Sequence, residues 1–266
     1  MQFLLNLPTP ISFLIISAIA TSVALGGLHL VRRKYPAEVL KENHEVAAVI
    51  FNAFGLLYAV VVAFVVFVTW SGYDDATKNL EMEANEVADI FHSTQAFPDP
   101  TKKIIQQGLV DYAASVYNNE LKRMSYEQIG LRSDRAMSKL LTAFYQIDDR
   151  TISNRELYGD TLKRLNDLAQ YRRLRIFAGN DTVPAVIWFV LLVGGVITVG
   201  YTYFFGMKSL KAQSLTTVAL TVTISLILFL IYVLDHPFTG ASKVNTEPLK
   251  EVLSEMQKES APVSIP

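Results

Sequence analysis

The residues of this sequence that could do chemistry are mostly charges placed to meet one another. Glu81, Glu83, Glu86 and Asp89 form an acidic run, and Arg172, Arg173 and Arg175 form a basic one. Glu81 follows Trp70, and Arg172 precedes Pro184, at the flanks of two long apolar stretches. If both flanks continue as straight helices, each charge run stands roughly 16–18 Å beyond its stretch, so the two meet at one height. Glu83 and Glu86 are therefore expected to pair with Arg172, Arg173 or Arg175. Two readings are open. One is an antiparallel helix pair latched by ion pairs, each worth little if exposed. The other is a charged ring at a pore vestibule, formed when copies assemble around an axis.

Other chemistries find little to work with. His29, His44, His92 and His236 are scattered, and none makes a spaced pair with another histidine or a helix-face Glu cluster that would suit zinc. There is no cysteine, which excludes disulfides, thiol catalysis and Cys-based metal sites. No Ser-His-Asp arrangement can be argued from order or spacing. No Gly-rich loop is placed to cradle a phosphate; Gly26-Gly27 and Gly194-Gly195 lie inside apolar stretches, where small residues let helices approach. The sequence thus gives no cofactor, no metal and no enzyme. A net charge of −1 gives no footprint for nucleic acid.

Two polar features remain. Asn52 is the one amide deep in the second apolar stretch, where amides hydrogen-bond across helices or, less often, mark a pathway. Thr216, Thr217, Thr221, Thr223 and Ser225 crowd the last stretch without forming one stripe, and such hydroxyls can satisfy their own helix carbonyls. That stretch ends in Asp235-His236-Pro237-Phe238-Thr239-Gly240. Pro237 stops a helix and Gly240 permits a turn. The motif reads as a helix stop with an interfacial turn or as an anchor at a pore mouth, the residues in question being Asp235, Pro237, Phe238 and Gly240.

The elements that must position these groups are set by charge-free length. Met1–Val31, Val46–Tyr73, Thr182–Met207 and Ala212–Leu234 contain no Asp, Glu, Lys or Arg. About 20 apolar residues cross a bilayer as a helix. Spans are expected at about 11–31, 46–70, 184–205 and 215–234. The first is read as a retained span rather than a signal peptide, because nothing basic precedes Ile11. Trp70, Trp188, Tyr73, Tyr201 and Tyr203 sit near span ends, where amphipathic rings prefer the headgroup layer.

Between the second and third spans, apolar residues recur at helical spacing: Leu80, Ala84, Val87 and Phe91; Ile105, Leu109, Tyr112 and Val116; Met137, Leu140, Leu141 and Phe144; Leu162, Leu165, Leu168 and Ala169. Breaks fall at 97–100, 125–132 and 148–154. The expected fold is all-α: a polytopic membrane protein with two spans in 1–71, a soluble four-helix insert in 72–182, two spans in 183–235, and a tail in 236–266. The tail carries a weak helical pattern (Leu249, Val252, Leu253, Met256), and 260–266 is expected to be disordered. Arg32, Arg33, Lys34 and Lys41 in the first loop, and Lys208 and Lys211 in the last, place the short loops on the cytoplasmic side and the insert outside. Arg172, Arg173 and Arg175 argue the other way, but long loops cross regardless of charge. The membrane expected is the plasma or inner membrane.

Three blocks of residues match a known pattern. They are Gly55-Leu56-Leu57-Tyr58-Ala59 through Trp70, Tyr73 and Glu83-Ala84; Leu168-Ala169 with Arg172-Arg173-Leu174-Arg175, Pro184 and Trp188; and Leu234-Asp235, Pro237-Phe238 and Gly240. In this order, across nearly the whole chain, they resemble the bestrophin-like family of bacterial and plant membrane proteins of unknown function. One departure is Glu120-Leu121, where the family often has Glu-Trp. The resemblance implies four spans with a helical insert and a kinship to anion channels. It implies no calcium site, because the acidic run that clasps calcium in true bestrophins is missing after Phe238. Phe64 and Phe67 could supply a hydrophobic neck.

The function expected on this basis is a homo-oligomeric channel for small anions. The alternative is a non-transporting scaffold or sensor, anchored in the bilayer, whose insert binds a partner protein. Sparse intramembrane polarity favours the alternative, since ionisable residues within spans usually mark pathways.

Overall fold

The structure is a computed structural model. It describes residues 7–36, 40, 44–124, 132–147 and 154–260, and the side chains of these except 44–47 and 132–134. The breaks expected at 125–132 and 148–154 and the tail end at 260–266 lie almost wholly outside the described residues. Among the described residues there are helices and connections and no strand. In chain order the helices are α1 (Thr9–Lys34), α2 (His44–Ser93), α3 (Thr101–Ser115), α4 (Arg132–Tyr145), α5 (Arg155–Asn180), α6 (Ala185–Tyr201), α7 (Leu210–Leu234) and α8 (Glu247–Ser260). α3 runs on through a π turn, Val116–Glu120, into Leu121–Met124.

Local chemistry marks the helix ends. Asn154 accepts a hydrogen bond from the Leu157 N–H at 3.1 Å and so caps α5. Ser209 does the same for α7 through Ala212. Arg32, Arg33 and Lys34 occupy the last turn of α1, where cations offset the helix dipole. Pro98 and Pro100 separate α2 from α3.

The chain forms two compact units. The first comprises residues 1–72, 182–236 and 240–242. It holds α1, the apolar half of α2, α6 and α7, the four helices long and apolar enough to cross a membrane. Val62, Val65, Leu191 and Ile231 form its apolar centre. α1 packs along α7, with Ser12, Ser17 and Ala24 buried on one helix and Thr217, Thr221 and Ser225 on the other. Small side chains at such a seam allow close van der Waals packing, which is what holds helices together in lipid. Gly194 works the same way: the Tyr58 ring lies 2.5 Å from where a β-carbon would stand, and its hydroxyl donates to the Leu191 carbonyl at 2.9 Å. Of the α2 stretch, only 11% of the most apolar part is buried, against 22, 28 and 33% for the other three spans. One face of α2 is therefore left for something outside the chain.

The second unit comprises residues 73–181, 237–239 and 243–266. Its core is built from Leu80, Ala84, Val87 and Phe91 of α2, Ile105, Leu109 and Tyr112 of α3, Leu140 and Phe144 of α4, and Leu165 and Leu168 of α5. The C-terminal segment belongs to it, and this corrects the expectation of a separate tail. Leu249, Leu253 and Met256 of α8 are buried in the same core. The 3.6-residue spacing that looked weak in isolation gives α8 one apolar face, and burying it here removes that face from water. If α6 and α7 both cross a membrane, the C-terminal segment returns to the side of residues 73–181, as sharing one core requires.

Candidate functional site

The second unit holds a cluster of ionised side chains sealed from water. Arg175 of α5 is fully buried and is the largest fully buried side chain among the described residues. Its Nε donates to Glu83 Oε2 at 2.5 Å and its Nη2 to Glu83 Oε1 at 3.1 Å, a two-pronged pairing. Nη2 also donates to Glu120 Oε1 at 2.5 Å, and Nη1 to the Met124 sulfur at 3.0 Å. Arg172, one turn earlier on α5, donates from Nη2 to Glu120 Oε2 at 3.0 Å. The Tyr112 hydroxyl donates to Glu83 Oε1 at 2.7 Å. Glu83 is fully buried, and Glu120 and Arg172 nearly so. Two guanidinium groups thus face two carboxylates and the cluster is neutral as a whole, the condition under which buried charge is tolerable.

This enclosure sets the electrostatics. Burial works against the Arg175 charge, but Glu83 and Glu120 outweigh it and raise the pKa, so the group stays protonated. Burial foremost, then the neighbouring Glu83 charge, pushes the Tyr112 hydroxyl well above its ordinary value, and it remains a neutral donor.

The residues singled out by spacing divide here. Glu83, Arg172 and Arg175 are in the cluster. Glu86 is not: its carboxylate meets Arg164 at 3.2 Å, and Arg164 also reaches Asp89 at 2.5 Å. The expected pairing of Glu86 with the basic run is corrected because Arg172 and Arg175 are both engaged by Glu120 and Glu83, which leaves the next arginine down α5 to take Glu86. Burial foremost, with the Asp89 and Asp167 charges adding to it, raises the Glu86 pKa against the opposing hydrogen bond and charge of Arg164. Arg173 points away from the core and is exposed.

Glu120 and Tyr112 are the members that spacing did not assign. Glu120 sits at the end of the π turn, whose i→i+5 bonding inserts an extra residue and re-aims the side chains beyond it; no apolar pattern announces it. Tyr112 does leave a signal, since a tyrosine on a core face needs a partner for its hydroxyl.

In the first unit, Asp235 closes α7 and is buried to 6% exposure. Its Oδ1 accepts from the Val183 N–H at 2.7 Å, just ahead of Pro184 and the start of α6, where the helix dipole favours an anion. Asn52 is exposed on α2. With Leu56, Ala63, Phe67 and Trp70, also exposed, it shares one helical face by its spacing. In the second unit, Phe238 is buried and the Val244 N–H donates to the Pro237 carbonyl at 2.7 Å, closing the loop after the motif. Gly240 takes φ 83°, the left-handed region a side chain resists. Among the described residues no three His, Asp or Glu side chains are grouped to hold a metal ion.

Four apolar membrane-crossing helices together with a charged helical unit define a polytopic integral membrane protein of all-α fold. The model of the Bestrophin-like domain matches residues 18–249, and the chain belongs to that family. Solved structures agree on the fold. A bacterial bestrophin homologue from Klebsiella pneumoniae aligns with TM-score 0.71 at 11% identity, covering 94% of this chain and 99% of that one. A point variant of the Klebsiella pneumoniae homologue gives 0.72 at 13% identity, covering 96% and 97%. A structure described as that of a membrane protein gives 0.72 at 12% identity, covering 94% and 99%. No curated protein matches the sequence.

Proposed function

We propose that the chain assembles into a homo-oligomer around the exposed face of α2 and conducts small anions along the axis so formed. The observation that carries this reading is Asn52. An amide exposed to hydrocarbon forfeits its hydrogen bonds at a cost of several kcal/mol on the cyclohexane reference scale, roughly 4–8. On a single chain Asn52 is exposed, in line with Leu56, Ala63 and Phe67. Turning that face toward neighbouring copies and a water-filled axis removes the cost. Phe67, 69% exposed and on that face, then stands where its ring can narrow the path and gate it by dewetting, with Phe64 flanking it one turn back. The four charge-free stretches contain no carboxylate, so nothing within them repels an anion. Membership of the bestrophin-like family supports the same reading.

The buried cluster of Glu83, Glu120, Arg172 and Arg175 takes the structural role in this scheme. Fully enclosed and charge-balanced, it offers no free charge to a passing ion. It latches α2, α3 and α5 together in the second unit, made by residues 73–181 and the C-terminal helix. Reconstitution tests the proposal. Liposomes bearing the purified chain should release chloride and iodide, Phe67→Ala should raise the release rate, and mass measurement in nanodiscs should give a multiple of the single-chain mass. A monomer with no flux in any salt would discard conduction in favour of the anchored scaffold.

A further inference from the structure

We infer that Arg173 of α5, with the apolar residues beside it, docks on α2 of a second copy of the chain and pairs there with Glu81. This contact rests on the homo-oligomer proposed around α2 and specifies which surfaces of the second unit meet in it. Glu81 and Trp70 belong to one unbroken helix, and by spacing Glu81 shares the face of Asn52, Phe67 and Trp70. It is exposed. Among the described residues no cation pairs with it. Lys78, the cation one turn away, is held by Asp74 at 2.5 Å. A ring of bare carboxylates at the mouth of an anion path repels the ion that the path serves. A cation from outside the chain removes that repulsion.

Arg173 is the cation left over. Arg172 and Arg175 are spent inside the unit on Glu120 and Glu83. Arg173 is exposed, and among the described residues it has no ion-pair partner. Leu174 and Phe177, 40% and 65% exposed, share its outward face of α5 by spacing. Met82, beside Glu81, is 43% exposed. Each helix thus presents one unanswered charge next to an uncovered apolar patch, and the two charges are opposite in sign. Opposed charges fix the register of an interface, and apolar area gives it affinity.

Height agrees. The bond between Glu83 and Arg175 makes these two residues level within a chain. At 1.5 Å per residue, Glu81 lies roughly 3 Å to one side of that level and Arg173 roughly 3 Å to the other. The gap is roughly one helical turn, within the reach of an arginine side chain. Rotation about the axis of a ring leaves every residue at its own height, so the same register holds between neighbours. The contact is head-to-tail, α5 of one copy on α2 of the next, and such contacts close into rings. A bilayer does not cover this face as well. Glu83 stands roughly 20 Å of helix beyond Trp70, whereas a headgroup layer is roughly 5–8 Å deep.

The absence of cysteine makes a direct test possible. Full-length chains carrying Glu81→Cys and one tag are produced together with chains carrying Arg173→Cys and another tag, then treated with a short bismaleimide in nanodiscs. A cross-linked dimer bearing both tags should form, and replacing Arg173→Cys by Lys103→Cys on α3 should abolish it. In dilute detergent, Arg173→Glu and Glu81→Arg should each lower the ratio of oligomer to monomer about tenfold or more, the scale of one close charge pair reversed. The two reversals combined should restore it, which a merely misfolded variant would not do. An oligomeric wild type that yields no doubly tagged dimer, or no restoration, would overturn this contact alone and leave the Leu174–Phe177 face to lipid or to a foreign protein. A monomeric wild type would overturn the contact together with the assembly beneath it.

Discussion

In Glu83→Gln the Arg175 guanidinium would keep its charge, stay out of reach of water and lose half of its counter-charge. Removing one partner of a buried pair costs about 3–5 kcal/mol, far more than the pair itself contributes. Thermal unfolding in detergent should show a fall in Tm large enough to threaten expression, and Glu120→Gln should approach it. Glu86 behaves oppositely although it lies one turn away. Its folded pKa is raised, so the native state holds the proton more tightly than the unfolded chain does. The penalty on its charge is absent at pH below the ordinary carboxylate range. It grows as pH rises toward the raised value and is constant above that. Glu86→Gln should therefore leave neutral-pH stability unchanged or slightly higher, and should flatten the pH dependence of Tm in the mildly acid window. A loss of Tm comparable with that of Glu83→Gln would contradict this account. Equal distance along two helices was enough to bring Glu83 to Arg175. Rotation about each helix, which spacing does not contain, decided that Glu86 would meet Arg164 instead.

At the scale of elements, the helix seam around Gly194 makes a sharp prediction. A β-carbon there would stand 2.5 Å from the Tyr58 ring, and the ring is pinned by its bond to the Leu191 carbonyl. Gly194→Ala should cost about 1–3 kcal/mol, the usual range for an overpacked contact. Gly26 meets nothing within 4 Å, so Gly26→Ala should cost nothing. Combining Gly194→Ala with Tyr58→Ala should recover part of the loss, and strict additivity of the two would show that the contact is not the cause. The spans themselves were readable because charge-free length is a property of the sequence in one dimension. The π turn at Val116–Glu120 was not, because it is a local change of hydrogen-bond partner that leaves no compositional trace. The place of α8 was not readable either. Its apolar face of Leu249, Leu253 and Met256 indicated a helix, but only tertiary contact could say what that face covers.

At the scale of the whole molecule, parity of spans is the constraint with the widest reach. If all four apolar helices cross, residues 73–181 and the C-terminal helix lie on one side of the membrane and the α6–α7 loop on the other. Both segments on the first side belong to one packed unit, so a crossing gained or lost would have to tear Leu249 and Leu253 out of its core. The chain has no cysteine, and single reporters can be introduced without background. Lys103→Cys on α3, Lys258→Cys on α8 and Lys208→Cys before α7 all replace exposed residues. A membrane-impermeant maleimide applied to sealed vesicles should label the first two together and spare the third, and vesicles of the opposite orientation should reverse the pattern. Labelling of Lys103→Cys and Lys208→Cys from the same side would mean that one of the apolar helices does not cross. The same experiment reads polarity, on which the short loops with Arg32, Arg33, Lys34, Lys208 and Lys211 and the flank with Arg172, Arg173 and Arg175 pull in opposite directions. Arg172 and Arg175 are neutralised by Glu120 and Glu83 in the folded unit, so the short loops should dominate and the maleimide should reach Lys208→Cys from the cytoplasmic side.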